Sequence, residues 1–275
     1  MSCMTESSKK TPYMTDLSDE EWQRIEPHLS KPSTTRGRKR KYAVRLVLDA
    51  IFYIVRSGCV WRLLPHDFPP WKTVYYYFRL WRLDGTWERL NDALRIAVRI
   101  AEGREPEPSA AIIDSQSSKT TETPGPRGYD AGKKVNGRKR HILVDTLGLL
   151  LVVVVHLGNI QDRDGAKIVL HKAMKLFKRL KIIWADGGYA GKLIEWTKDV
   201  CGWILDIVKP KEKIKGFQLL AHRWIVERTF GWFGRYRRLS KDYEGLPETS
   251  ECVMYVAMVH IMARRLGQMS CYNNF

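Results

Sequence analysis

The 275-residue chain contains no C-x-x-C pair, and its five cysteines (Cys3, Cys59, Cys201, Cys252, Cys271) are odd in number and scattered. That pattern implies neither a zinc site nor a disulfide framework, and the cysteines read as reduced thiols. Membrane-spanning runs are also missing: the aliphatic stretch Leu149 to Val155 falls far short of the roughly 20 residues such a helix needs. The N-terminal MSCMTESSKK lacks the apolar segment of a secretory signal, so the expected location is cytoplasmic. Acidic residues are outnumbered, 30 Asp plus Glu against 47 Lys plus Arg, which leaves a net charge of +17. Such a balance predicts a polyanionic partner, and without a spanning segment nucleic acid is favoured over membrane. No internal repeats are seen. With 44% hydrophobic and 11% aromatic residues, the chain can build a substantial core, and disorder is not the default.

Residues 1–14 are polar and aperiodic and are expected to be disordered. A helix signal follows at Ser18, with Glu21 completing a capping box ahead of Trp22, Ile25 and Leu29. KPSTTRGRKRK (31–41) reads as an exposed cationic loop. From Tyr42 to Ser57, Val44, Val47, Leu48, Ile51 and Val55 recur at helical spacing, with Arg45, Asp49 and Arg56 opposite and Gly58 as the stop. After a proline-punctuated turn, Val74, Tyr77, Phe78 and Trp81 form a second stripe that leaves Lys72, Thr73, Tyr75, Arg79 and Arg82 outward. A third helix is predicted from Thr86 to Ala101. Helix, turn and helix with a basic outer face points to DNA reading by residues 15–101, with Arg79 and Arg82 as candidate contacts. EGREPEP (102–108) is the predicted linker.

The period then changes. AAIIDSQ (110–116) is a short strand ending in a carboxylate, and residues 138–158 read as a β-hairpin turning at Asp145 to Gly148. There follow a helix from about Asp164 to Leu180, the strand KIIWAD (181–186), a helix from Lys192 to Val200, the strand WILDIV (203–208) and an aromatic, basic helix. This alternation predicts an α/β domain over 109–275, a mixed sheet flanked by helices, preceded by a small all-α domain.

Three carboxylates are the candidate catalytic and metal-binding residues. Asp114 and Asp186 end strands, where ligands of α/β sheets collect. Glu227 lies in HRWIVERTFGWFGRYRRL, one turn after Arg223, with Gly231 and Gly234 continuing its face. Two glycines inside a helix each cost about 0.8–1 kcal/mol relative to alanine. Close approach of DNA would explain them; so would tight packing on the sheet. The crowd of Arg228, Arg235, Arg237 and Arg238, together with Arg223, favours phosphate contact, as does the run Lys133, Lys134, Arg138, Lys139 and Arg140 beside Asp114. Two Asp and one Glu suit Mg²⁺ or Mn²⁺ rather than zinc, and paired ions would serve phosphoryl transfer. Asp145 reads as a turn residue, and Asp162 and Asp164 as helix caps. His141, His156 and His222 read as packing or hydrogen-bonding residues. Ser115 and Ser117 lack a local base for nucleophilic catalysis.

IIDSQSSKTT, RGYDAGKKVNGRKRHILVDTLGLLL, IQDRDGA, WADGGYAG and RWIVERTFGWFGRYRRLSKDYE together resemble the bacterial DDE insertion-sequence transposases of the "IS five" group. GCVWRLLPHDFPPWKTVYYYFRLW is similar to their small helical domain, so the resemblance covers nearly all of the chain after about residue 15. It implies a ribonuclease H-like catalytic fold and carries the family's two aspartates and glutamate onto Asp114, Asp186 and Glu227. It implies cleavage at element ends and strand transfer with two Mg²⁺ or Mn²⁺ ions. The implied partners are double-stranded DNA, as terminal inverted repeats and target, and a second copy in the working complex, nucleoid-associated when on DNA. The short interval between Asp186 and Glu227 leaves little room for an inserted domain. A Tyr, Arg, Glu, Lys pattern found in the wider superfamily is matched here by Arg223 and Glu227 only, since Leu220 and Gly234 stand at the other two positions. A non-catalytic DNA-binding regulator and a nuclease without a joining step are the competing readings.

Overall fold

The computed structural model describes residues 12–29, 41–208 and 222–272. The expectations for residues 1–11, for the basic segment 31–40 and for Leu220 lie outside the described residues. Tyr13, inside the stretch expected to be disordered, stacks on Phe68 at 5.0 Å and meets the Tyr53 ring edge-on at 4.9 Å.

Ser18 caps α1 (Asp19–Ile25) reciprocally with Glu21, its Oγ accepting from Glu21 N at 3.3 Å while Glu21 Oε2 accepts from Ser18 N at 3.0 Å. α2 (Val44–Ser57) buries Val47, Leu48, Ile51 and Val55. Asp49 departs from the expected solvent face: it is buried, and its Oδ1 accepts from Leu17 N at 3.0 Å. A buried carboxylate is tolerable there because it pairs a backbone donor. Gly58 ends α2 at φ 75°, and a Cβ on it would stand 2.9 Å from Arg237 Cβ. Gly58→Ala is therefore expected to lower stability by about 1–2 kcal/mol, from left-handed backbone strain and the clash together. A urea titration reads this directly, and an unchanged midpoint would contradict it.

α3 (Trp71–Leu83) inserts Val74, Phe78 and Trp81, and α4 (Thr86–Ala101) spans the residues the sequence predicts. Asp84 Oδ1 starts α4 by accepting from Thr86 N at 2.9 Å and Thr86 Oγ1 at 2.6 Å. The segment 102–108 that follows is tied back, with Arg99 Nε donating to Glu105 O at 2.8 Å and Arg179 Nη1 to Glu107 O at 2.9 Å.

A six-stranded mixed sheet follows: β1 (Ala110–Lys119), β2 (Gly128–Asp130), β3 (Val135–Asp145), β4 (Leu150–Leu157), β5 (Ile182–Ala185) and β6 (Ile204–Ile207). β3 lies between β1 on one side and β4 with the short β2 on the other, all antiparallel to it; β5 and β6 extend the other edge of β1 in parallel. Gly148 N donates to Asp145 O at 2.9 Å in the β3–β4 turn, and Asp145 Oδ1 accepts from Leu147 N and Leu149 N, both at 2.9 Å. That is the turn role read from DTLG. β1 is longer than expected. SQSSK is polar enough to pass for a loop, but residues 115–119 pair with β3 from His141 to Gly137, so Asp114 sits within the strand and not at its end.

α5 (Asp162–Leu176) covers one face, where Ala111, Ile113, Leu143 and Val154 meet Ala166, Val169 and Leu170. α6 (Lys192–Trp196) passes into a π-helical turn, Thr197–Cys201, before β6. The other face is covered by α7 (Arg223–Gly234) and α8 (Pro247–Tyr272). The sequence reading has no counterpart of α8. Cys252, Val253, Met254, Val256, Ala257, Met258 and Val259 are all buried, so the helix carries no amphipathic stripe to read. One apolar cluster runs from Leu48 and Trp87 through Val256 to Ile142 and Val153, so the N-terminal helices and the sheet share a core. Among the described residues no helix is long and apolar enough to cross a membrane. Helical region followed by a mixed sheet in this order is the ribonuclease H-like arrangement.

Candidate active site

The parallel pairing of β1 with β5 ends at Ile112 opposite Trp184. Asp114 and Asp186 each lie two residues further along, so adjacent strands deliver them at the same level. Alternation places Asp114 on the face of Ile112, the face covered by α7, and Glu227 stands on α7. The start of α7 is held at this end of β5 by His222, whose ring stacks on Trp184 at 3.9 Å. Arg223 reaches between the carboxylates, its Nη2 lying 3.7 Å from Asp186 Oδ2 and 3.4 Å from Glu227 Oε1. Asp186 also caps the short turn Gly187–Tyr189, its Oδ1 accepting from Gly188 N at 2.8 Å.

Burial pushes the Asp114 carboxyl up to about 6, with the Asp186 charge adding to the effect. The Ser115 N–H, donating to Asp114 Oδ1 at 2.7 Å, and the charges of Arg223 and Lys133 act against it. Lys133 Nζ donates to Ser115 O at 3.1 Å. A desolvated carboxylate beside a second one is short of positive charge, and a divalent cation relieves that deficit. The donor set is all oxygen and so fits a hard ion such as Mg²⁺ or Mn²⁺. Among the described residues no three such side chains already converge on a common point; here the Arg223 guanidinium stands between Asp186 and Glu227.

Of the basic residues read as DNA contacts, three are placed otherwise. Arg138, Lys139 and Arg140 are buried, because β3 is a central strand covered on both faces. Arg138 donates to Pro126 O at 2.7 Å, Glu244 O at 2.8 Å and Gly245 O at 2.8 Å. Lys139 donates to Ile160 O at 2.9 Å and Asp162 at 3.1 Å, and Arg140 to Leu239 O at 2.7 Å and Lys241 O at 2.9 Å. Three more are engaged internally, Arg223 with Asp186 and Glu227 as described above. Arg228 lies between the Trp224 and Trp232 rings at 4.6 and 4.8 Å and donates to Leu147 O at 2.9 Å. Arg238 pairs with Glu244 at 2.7 Å. Arg79, Lys133, Lys134, Arg235 and Arg237 are exposed, and Arg82 is half-buried.

A Cβ at Gly231 or Gly234 would meet nothing within 4 Å. Tight packing on the sheet is therefore not their role; the stripe continuing from Glu227 is open. Asp162 is not a cap, since Gln161 precedes the helix. Its Oδ1 accepts from Ser115 Oγ at 2.8 Å and from Lys139, which ties α5 to β1 and β3. Tyr189 escaped the sequence reading. It is 1% exposed, and its hydroxyl lies 2.7 Å from His141 Nε2. Its place three residues after Asp186 in WADGGYAG was the available signal.

Residues 105–262, more than half of the chain, match the family described as "Transposase DDE domain". Residues 17–91 match one described as "Putative transposase of IS4/5 family". A 106-residue stretch, 37% of the chain, is 31% identical to "Insertion element IS402 uncharacterized 16.2 kDa protein" of Burkholderia cepacia, covering 71% of that protein. Over 140 residues, 48% of the chain, it is 26% identical to "Putative transposase for insertion sequence element IS402" of the same organism, spanning 64% of that protein's length. With the DDE domain matched over all six strands of the sheet and the helix bearing Glu227, the chain belongs to the DDE transposases of the IS4/5 type.

Proposed function

We propose that this transposase cleaves DNA at the ends of its element and joins them to target DNA, with Asp114, Asp186 and Glu227 holding two Mg²⁺ or Mn²⁺ ions. The observation that carries this reading is the delivery of Asp114 and Asp186 to one level of adjacent parallel strands, with Glu227 drawn to Asp186 through Arg223. Bound there, the ions would activate the attacking oxygen and neutralise the leaving oxygen of an in-line displacement.

The chain's own groups prepare that chemistry. Asp114 ligates only when ionised, and burial raises its pKa to about 6, so protons would compete with the metal and acid should weaken binding. Arg223 balances Asp186 and Glu227, a charge that bound ions would take over. The open stripe of Gly231 and Gly234 lets a DNA backbone approach Glu227, while Lys134, Arg235 and Arg237 take phosphates. Residues 15–101 help recognise the terminal repeats, and synapsis of two ends calls for at least two copies.

Purified protein, Mg²⁺ and duplex DNA carrying the element's terminal repeats should yield end cleavage and joined products. Cleavage that survives Asp114→Ala unchanged would refute the assignment, and cleavage without joining would reduce the activity to a nuclease. Separately, the Arg235→Ala, Arg237→Ala double variant should bind DNA more weakly for all sequences. Its plot of log affinity against log salt should be shallower by about 2. An unchanged slope in fluorescence anisotropy would remove these arginines from the DNA track.

A further inference from the structure

We propose that Tyr189, through its hydrogen bond to the buried His141–His156 pair, is a positioning residue that fixes Asp186 for metal ligation. The proposal rests on the metal-binding role given above to Asp186. The turn after β5 is Gly187, Gly188 and Tyr189, so Tyr189 carries its one side chain. A Cβ on Gly187 would meet nothing within 4 Å, and the turn gains no hold on the sheet from either glycine. Tyr189 closes it, its N donating to Asp186 O at 3.1 Å.

From the Tyr189 ring a row of hydrogen bonds runs across the sheet on the α5 side. The hydroxyl lies 2.7 Å from His141 Nε2, His141 Nδ1 lies 2.9 Å from His156 Nε2, and His156 Nδ1 lies 2.9 Å from Leu157 O. Chemistry dictates the order of donors. A carbonyl only accepts, so His156 Nδ1 carries a proton and, in a neutral ring, His156 Nε2 accepts. His141 then donates from Nδ1 and accepts at Nε2, and the Tyr189 hydroxyl is the donor. Burial holds both imidazoles below their ordinary range, His141 down to about 3, in keeping with two neutral rings.

α5 seals the row. A Cβ on Gly165 would come closer than 3.0 Å to both His156 Nε2 and His141 Nδ1, so the helix lies flush on the rings only because position 165 has no side chain. β3, β4 and α5 thus form one rigid block, and the phenolic hydroxyl, which also meets the Ser115 side chain, clamps the Asp186 turn to it alongside the 3.4 Å bond from Arg163 Nη1 to Ala190 O. On the neighbouring strand the bond from Ser115 to Asp162 steadies Asp114 from the same side. Outer partners of this kind hold ligands at their productive angle, and their loss typically weakens metal affinity 10–100-fold.

Tyr189→Phe keeps the ring and removes the clamp. Mn²⁺ binding to the full chain, followed by calorimetry, should weaken about 10-fold or more, while metal-free DNA affinity stays within about twofold. In the wild-type protein, imidazole NMR should show both rings neutral with the proton on Nδ1 from pH 5 to 8. That measurement stands even if the variant folds poorly. Wild-type Mn²⁺ affinity in Tyr189→Phe with only a lowered melting temperature would make Tyr189 a structural anchor and overturn the proposal. So would a ring that titrates in this range or carries its proton on Nε2. Failure of the wild-type chain to bind Mn²⁺ would instead overturn the metal site itself, and the clamp's purpose with it.

Discussion

Asp114→Asn is expected to abolish metal-dependent DNA cleavage and at the same time to make the metal-free protein more stable. Loss of one ligand from an ion that stabilises the transition state by several kcal/mol should cost about 10³-fold in rate. The stability gain follows from the raised carboxyl pKa. Folded, Asp114 titrates near 6 instead of the usual 3.8, so the folded state favours the protonated form. Its contribution is fully present below about pH 4, where the carboxyl is neutral in both states, and is lost as pH rises through about 6. Above that, the ionised carboxylate destabilises the fold by about 2 kcal/mol, allowing for its partial exposure. Asparagine carries no charge, so Asp114→Asn should melt several degrees higher than wild type at pH 7–8 and alike at pH 4. Saturating Mg²⁺ should raise the wild-type melting temperature and not the variant's. Melting curves at three pH values with and without Mg²⁺ check every part, and a variant less stable than wild type at pH 8 would contradict the electrostatic reading.

The second large effect is on folding. Arg138 is 1% exposed and, besides its three carbonyl contacts, faces Asp242 at 3.3 Å. Arg138→Met removes the charge and leaves the Asp242 carboxylate and those carbonyls short of donors in the interior, a loss of about 3–5 kcal/mol. Lys134, four residues away and exposed, should tolerate the same change within about 0.5 kcal/mol, and its loss should appear instead as weaker DNA binding. Urea unfolding paired with anisotropy separates the two. If Arg138→Met unfolds like wild type and weakens DNA binding while Lys134→Met does the reverse, the assignment of the basic run is wrong.

That contrast marks where the sequence was legible. KKVNGRKR reads as one basic patch because local pattern carries no information about partners a hundred residues away. Apart from the Pro126 carbonyl, the backbone acceptors of Arg138 and Arg140 come from the segment between α7 and α8, which folds across β3. Elements with local causes were readable: the Ser18 capping box, the Gly58 stop, α4 and the Asp145 turn each follow from residues within a few positions. α8 was not, because a helix buried on all sides has no amphipathic period. The three carboxylates could be picked out by their motifs, yet their adjacency depends on strand register. Asp114 was placed at a strand end it does not occupy, and it is the short β5, not the end of β1, that opens the sheet beside it. Tyr189 was equally hidden, and while His141 and His156 read as packing or hydrogen-bonding residues, their partners did not, since the three lie on separate elements.

The central claim is that Asp114, Asp186 and Glu227 ligate the same ions. Replacing Mg²⁺ by Fe²⁺ and adding ascorbate and peroxide generates hydroxyl radicals at the bound metal, which cut the nearby backbone. Mapping those cuts by mass spectrometry should locate them around residues 114, 186 and 227, with excess Mg²⁺ suppressing all three together. Cuts confined to other segments, or a set at 114 and 186 that never includes 227, would contradict the proposed site.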